Sequence, residues 1–408
     1  MMVAGPLEGV KIIDFTQMMA GPWGTQMLAD LGAEVIKIER ANTGEWERGL
    51  ASMGELLAGD SPFFHAMNRN KKSLTLDLKH PEAKEIVYKL VEDADVVAEN
   101  FRPGALDRLG YGYDQLASIN PGIVYLSSSG YGSTGPYLGR PGQDLLIQGM
   151  SGMVAYTGRG GDSPTPAGSS VVDEGTAMVN AMSVLAALYH KQRTGQGQKV
   201  EVNLLSTAVA MQCQEAVAYL NLGQKFEKSK AGIGSPWLSA PFGVYPTRDG
   251  YMTISMSDLP TVGRIFDLPE LEKYSDPMDA FHKRDEIKTA IEAKTPEKTT
   301  AAWLEILNEH KIWCGPVNSF EEVFEDPQVA HNEIVVTMQH PKAGEVKLIG
   351  YPAKFSETPA TYRTAAPIVG EHNEDVLQSL GYDKEEISRL EREGVTGRGE
   401  KAGVTRGG

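Results

Sequence analysis

Apolar residues in the first third of the chain come in short runs, separated by stretches where they recur every three or four positions. VKIIDF (10–15) is rich in β-branched residues and predicts a buried strand. A glycine-containing turn, AGPWG (20–24), is expected next, then a helix over TQMLADLG (25–32) capped by Gly32. EVIKIE (34–39) and KSLTLDL (72–78) continue the strand pattern. In PEAKEIVYKLVED (81–93), Pro81 suits a first helical turn and Ile86, Leu90 and Val91 share one face. DVVAEN (95–100) and GIVYLSSS (122–129) return to strand. Alternation of this kind predicts an α/β fold, a Rossmann-like parallel sheet with helices on both faces.

After residue 130 the pattern loosens. A loop rich in Gly and Pro (130–142) leads to a helical segment (144–153), a second loop (158–171) and a long helix (174–193). HKQRTGQGQ (190–198) is a turn, and KVEVNLL (199–205) leads into a helix to about residue 222. KFEKSKAGIGSPWLSAP (225–241) reads as a linker or mobile loop. Two short strands, FGVYPT (242–247) and YMTISM (251–256), flank the turn RDG (248–250), and helices follow over 279–294 and 297–309. The shift in pattern predicts a large domain over 1–224 and a smaller α+β domain over 225–335. From 394 to 408 there are too few apolar residues to pack, so a disordered tail is expected.

The length of 408 residues exceeds the usual single domain and suffices to bury a core without disulfide or metal staples. A net charge of −15 repels phosphate backbones and anionic bilayers, so neither nucleic acid nor a membrane is expected as partner. A local basic pocket for a small phosphorylated ligand stays compatible with that charge. Cys213 and Cys314 stand far apart and outside any CxxC pattern, which points away from zinc and towards a reducing compartment. MMVAGPLEGVKIID lacks the layout of a signal peptide, and the apolar stretch 178–189 is too short and interrupted to span a bilayer. A soluble, cytoplasmic protein is the expectation.

The turn after the first strand reads GPWG rather than GxGxxG, which counts against an NAD-linked oxidoreductase. GxxxxGK[ST] and HExxH are absent and the eight histidines are scattered, so neither ATP activation nor a metal site is expected. Basic residues recur at expected loop positions: Arg40, Arg69, Lys71, Lys72, Lys79, Arg102 and Arg108. ENFRPGALDRLG (99–110) adds Asn100 as a hydrogen-bonding group and Phe101 as a stacking face, an inventory that suits a nucleotide. Asp173, in GSSVVDEGTAMVNAMS (168–183), stands just before a helix. It is either an N-cap, worth ~1 kcal/mol, or a carboxylate kept ionised by free N–H groups and the helix dipole, and so a nucleophile. The residues alone leave both open.

Several stretches, in this order along the chain, resemble the class III CoA-transferases, the formyl-CoA:oxalate and carnitine CoA-transferase family that also contains the α-methylacyl-CoA racemases. They include VKIIDFTQMMAGPWGTQMLADLGAEVIKIER, NRNKKSLTLDLKHPEAKE, DVVAENFRPGALDRLG, GQDLLIQGMSGMVAYTG, VVDEGTAMVNA, LYHKQRTGQGQKVEV and GPVNSFEEVFEDPQV. The resemblance implies a two-domain subunit, with 336–393 returning to the large domain, and an interlocked homodimer whose chains thread through one another. It implies that Asp173 is the catalytic aspartate, that Gln17 lies beside the reacting acyl group, and that Arg40, Leu76, Lys79, Asn100, Phe101 and Arg108 hold coenzyme A. The substrates implied are an acyl-CoA and a small carboxylic acid, with no permanently bound cofactor. Two departures stand out. AGIGSPW (231–237) lacks the glycine run of the oxalate-using branch, and GQD (142–144) has Gln143 where the racemase branch carries a histidine. An amide neither takes nor gives a proton near neutral pH, which favours transfer over the rival racemase reading.

Overall fold

The computed structural model describes residues 5–223, 225–274 and 276–399. The chain forms two compact units. One comprises Met1–Ile147, Ser170–Thr207 and Asn332–Gly408, the other Gln148–Ser169 and Ala208–His331. The second unit thus takes in residues on both sides of the long helix, rather than starting at 225.

The first unit is built on six strands: β1 (Lys11–Asp14), β2 (Glu34–Arg40), β3 (Lys71–Leu76), β4 (Val96–Glu99), β5 (Val124–Ser129) and β6 (Gln198–Asn203). All pair in parallel, in the order β3-β2-β1-β4-β5-β6. Side chains alternate across the strands and feed two cores. Ile13, Ile36, Leu74 and Val97 pack on one face with Ile86, Val87 and Leu90 of a helix over Pro81–Glu92. Ile12, Val35, Val96 and Leu126 pack on the other with Leu28 and Val184. The continuous apolar runs in the sequence are therefore strands covered on both faces.

Leu28 belongs to α1 (Ala20–Asp30) and Val184 to α2 (Val171–Thr194). AGPWG, expected as a turn, forms the first turn and a half of α1. Proline is tolerated there because its missing N–H would have no intrahelical partner. The glycines permit close packing: a Cβ on Gly24 would sit 2.9 Å from the Ala177 carbonyl oxygen of α2. The α2 helix also exceeds the expectation. By length and composition it could cross a membrane, but it carries Asp173 and Glu174 in its first turn and Lys191 and Arg193 in its last, and its buried stripe packs on α1 and the sheet.

Two further strands, Val335–His340 and Gly344–Ile349, form an antiparallel hairpin in this unit that the sequence pattern did not disclose. The expected disorder from 394 does not hold for 394–399. Val395 and Thr396 are buried, and Thr75 Oγ1 donates to Gly397 O at 2.6 Å. These residues answer the polar groups of edge strand β3, which is why so few apolar side chains suffice. Residues 400–408 lie outside the described residues.

The second unit holds a three-stranded antiparallel sheet of Gly243–Pro246, Tyr251–Ile254 and Cys314–Pro316. Its core includes Tyr245, Met252, Val262, Phe266, Ile287 and Trp303. The helix expected over 279–294 is two, Pro277–His282 and Arg284–Lys294.

Candidate active site

Strand order reverses direction between β1 and β4, and in an open parallel sheet the crevice beyond that point is the ligand position. Gln17 follows β1 and Asn100 follows β4. The two are joined: the Asn100 side chain accepts from Gln17 N at 2.8 Å through Oδ1 and donates to Gln17 O at 2.7 Å through Nδ2. One amide thereby fixes both backbone groups of Gln17, which is partly buried. Phe101, next in line, is partly buried against the core, and its N–H donates to Glu99 Oε2 at 2.8 Å.

Arg40 and Leu76 are register partners at the carboxyl ends of β2 and β3. Arg40 is exposed, whereas the Leu76 side chain is buried in the core. Lys79 and Arg108, 29 positions apart in sequence, line one cavity of about 440 Å³ together with His80, Lys84 and Tyr88. Six predicted residues, Gln17, Arg40, Leu76, Lys79, Asn100 and Phe101, thus lie at the carboxyl ends of the strands or in the loops that follow them, and Arg108 lies on a short helix, Ala105–Leu109. Arg69 and Lys71, also expected at loop positions, are buried instead: Arg69 pairs with Asp30 at 2.6 Å and Lys71 with Asp14 at 3.0 Å. Lys72 pairs with Glu34 at the sheet surface.

Asp173 is not the N-cap of α2; Ser170 holds that position and Asp173 lies in the first turn. The free N–H groups of the turn are answered by Asp144, whose Oδ1 accepts from Val172 N at 2.8 Å and Asp173 N at 3.2 Å. Burial, with the like charges of Asp144 and Glu174, pushes the Asp173 carboxyl up to about 7. That corrects the expectation of a carboxylate held ionised by the helix end. The direction of α2 is set two turns on, where Asn180 Nδ2 donates to Ala20 O and Ser128 Oγ at 3.1 and 3.2 Å. Ser128 lies near the carboxyl end of β5, so the N-terminal turn of α2 projects some 10 Å beyond that level by helical rise.

The family model for CoA-transferase family III matches residues 7–373. The chain belongs to that family. Among relatives, the human succinyl-CoA:glutarate CoA-transferase is 35% identical over 96% of this chain and 90% of its own length. The formyl-CoA:oxalate CoA-transferase of Streptomyces coelicolor is 35% identical over 97% of this chain and all of its own. A CaiB/BaiF family protein from Brucella suis superposes with a TM-score of 0.81 at 31% identity, covering 92% of this chain and 100% of that one. An aspartate-to-alanine mutant of Rv3272 from Mycobacterium tuberculosis gives the same TM-score and identity. This CoA-transferase is therefore an enzyme that works on CoA thioesters as co-substrates.

Sequence reasoning on the CoA-transferase missed two features of the site. Asp144 entered only as part of GQD, although it serves as cap and electrostatic neighbour of Asp173. Asp14, Lys37 and Lys71 form a buried charged floor under the Gln17 turn. Charges inside VKIIDF and EVIKIE, strands otherwise apolar on both faces, are the one signal that pointed to it.

Proposed function

We propose that the enzyme moves coenzyme A from an acyl-CoA donor to a free carboxylic acid with Asp173 as covalent nucleophile. A carboxylate half-buried in the first turn of a helix, with a carboxyl value near 7, carries the reading: its desolvation makes it reactive once ionised. The Asp173 carboxylate attacks the thioester carbonyl, the C–S bond breaks, and CoA leaves as thiolate from a mixed anhydride. The thiolate attacks the aspartyl carbonyl, forming an aspartyl-CoA thioester and releasing the donor acid. The acceptor carboxylate attacks that thioester and gives a second anhydride; thiolate then attacks its acyl carbon and regenerates Asp173. Thioester energy is conserved throughout. The Gln17 amide and nearby backbone N–H groups donate to the developing oxyanions. Arg40, Lys79, Arg108, Asn100, Phe101 and the Leu76 backbone hold the nucleotide end of CoA.

Transfer is favoured over racemisation because Asp144, the carboxylate left in the GQD motif, is engaged by two backbone N–H groups. The acceptor class follows from the relatives, which are named for oxalate and for succinate with glutarate; a dicarboxylic acid is the first choice. The cytoplasm fits two free thiols, Cys213 and Cys314. An interlocked homodimer fits the exposed apolar side chains of Met178, Met182 and Tyr189 on α2 and of Val217, Leu220 and Leu222.

Asp173→Ala tests the nucleophile. It should abolish transfer between an acyl-CoA and a free acid while binding of free CoA persists. Wild-type enzyme given acyl-CoA and then hydroxylamine should carry a hydroxamate at Asp173 by mass spectrometry. Substantial transfer by the alanine variant would overturn the reading. Deuterium entering the α-carbon of a 2-methylacyl-CoA, without any free acid, would favour racemisation instead.

A further inference from the structure

Beneath the Gln17 turn lies a set of charges that burial alone does not favour. Asp14, Lys37 and Lys71 are out of contact with water. Asp14 Oδ1 accepts from both Thr16 N, at 2.9 Å, and Thr16 Oγ1, at 2.5 Å. Its Oδ2 accepts from Thr25 Oγ1 at 2.7 Å and Lys71 Nζ at 3.0 Å. Lys37 Nζ donates to Thr16 O at 2.8 Å and to Glu45 Oε2 at 3.2 Å. The N–H, the hydroxyl and the carbonyl of Thr16 are thus each held by a buried charged side chain.

The Thr16 carbonyl is part of the peptide that joins it to Gln17. The next two backbone groups, Gln17 N–H and C=O, are clamped by Asn100. Side chains, not a ladder or a helix, therefore define this turn from end to end. Met18, just beyond it, sits at φ 64°, a region a methionine rarely adopts and one that needs its neighbours fixed. Burial works against the Lys37 charge, but Glu45, Asp14 and Glu39 more than offset it, so the ammonium keeps its protons and its bonds.

Buried ion pairs often add no stability over an apolar core of the same volume, because desolvation cancels the attraction. What they confer is one arrangement in place of several, since a misplaced partner leaves a buried charge unpaired. We propose that Lys37 and Asp14 are positioning residues for CoA transfer: their bonds to Thr16 lock the Thr16–Gln17 peptide and aim the Gln17 side chain at the reacting acyl group. The proposal rests on the reading of Gln17 as an oxyanion donor.

A double-mutant cycle between Lys37→Met and Gln17→Ala tests it. Gln17→Ala should lower kcat by about a hundredfold, as for loss of one oxyanion donor. Lys37→Met should lower kcat by about tenfold through misplacement, with the Kd for free CoA and the cooperativity of thermal unfolding retained. The double variant should be no slower than Gln17→Ala alone. Multiplying losses would overturn the proposal and leave the Gln17 reading intact, because Lys37 would then act by another route. An unchanged kcat in Gln17→Ala would overturn the Gln17 reading itself, and the positioning role with it. Should Lys37→Met fail to fold, Thr16→Val, which removes a single hydroxyl from Asp14, enters the same cycle under the same criterion.

Discussion

At the scale of single residues, the Asp173 carboxyl is defined more by its neighbours than by its own position. Asp173 titrates near 7 because it is desolvated and because Asp144 and Glu174 add negative charge. In the proposed mechanism only the ionised form attacks, and the protonated form grows as pH falls through that value. With free enzyme and subsaturating acyl-CoA, kcat/KM should drop about tenfold per pH unit below 7. Asp144→Asn removes one like charge and keeps an oxygen to accept from Val172 and Asp173, so the acid limb should move to lower pH. A limb that stays in place, measured over pH 5–9, would show that Asp144 acts only as a cap. The placement of Asn100 just past a strand end was legible in the sequence, whereas pattern alone left Asp173 open between a cap and a nucleophile. The fates of Arg69 and Lys71 were not: their partners, Asp30 and Asp14, stand 39 and 57 positions away, and pattern along the chain carries no information about them.

Elements were legible where the hydrophobic period was unbroken. The four inner strands, β1, β2, β4 and β5, follow from runs of apolar residues, since strands covered on both faces need them, whereas the edge strands β3 and β6 alternate polar and apolar positions. The start of α1 was not, because Gly and Pro signal a turn unless close packing calls for them. Gly24 is such a case. An added Cβ would meet the Ala177 carbonyl at 2.9 Å and the Asn180 Cβ at 3.2 Å, and a backbone oxygen cannot rotate aside. Overpacking costs about 1–3 kcal/mol, against about 0.5–1 kcal/mol gained by replacing a helical glycine with alanine. Gly24→Ala should therefore lower Tm by a few degrees. It should also slow turnover, because α1 and α2 must part and the helix start carrying Asp173 moves with them. Gly139→Ala, whose methyl would meet nothing within 4 Å, is the matched control and should change neither. A Gly24→Ala enzyme as stable as wild type would mean the helices do not touch as described.

At the scale of the whole molecule, the chain visits its two units alternately, and no shift in composition marks 148–169 as belonging with 208–331. Only long-range contacts assign those segments, which is why boundaries at 224 and 335 were a natural first reading of the sequence. Surface composition carries a further consequence. With a net charge of −15, two copies repel at long range, so stable self-association needs an apolar contact to outweigh the repulsion. Met178, Met182 and Tyr189 are exposed on α2 at spacings that keep the first two on one face, and in the second unit Val217, Leu220 and Leu222 are exposed as well. A dimer should therefore appear in light scattering, at twice the 44.3 kDa of one chain, and persist in high salt. Threading makes a stronger demand than association. Chains that merely touch exchange partners by dissociating, whereas chains that pass through one another must first unfold. Two preparations with different tags, mixed under native conditions, should yield no doubly tagged dimer over days, yet yield it readily after joint denaturation and refolding. Prompt exchange without denaturant would mean that the subunits pair face to face and are not interlocked.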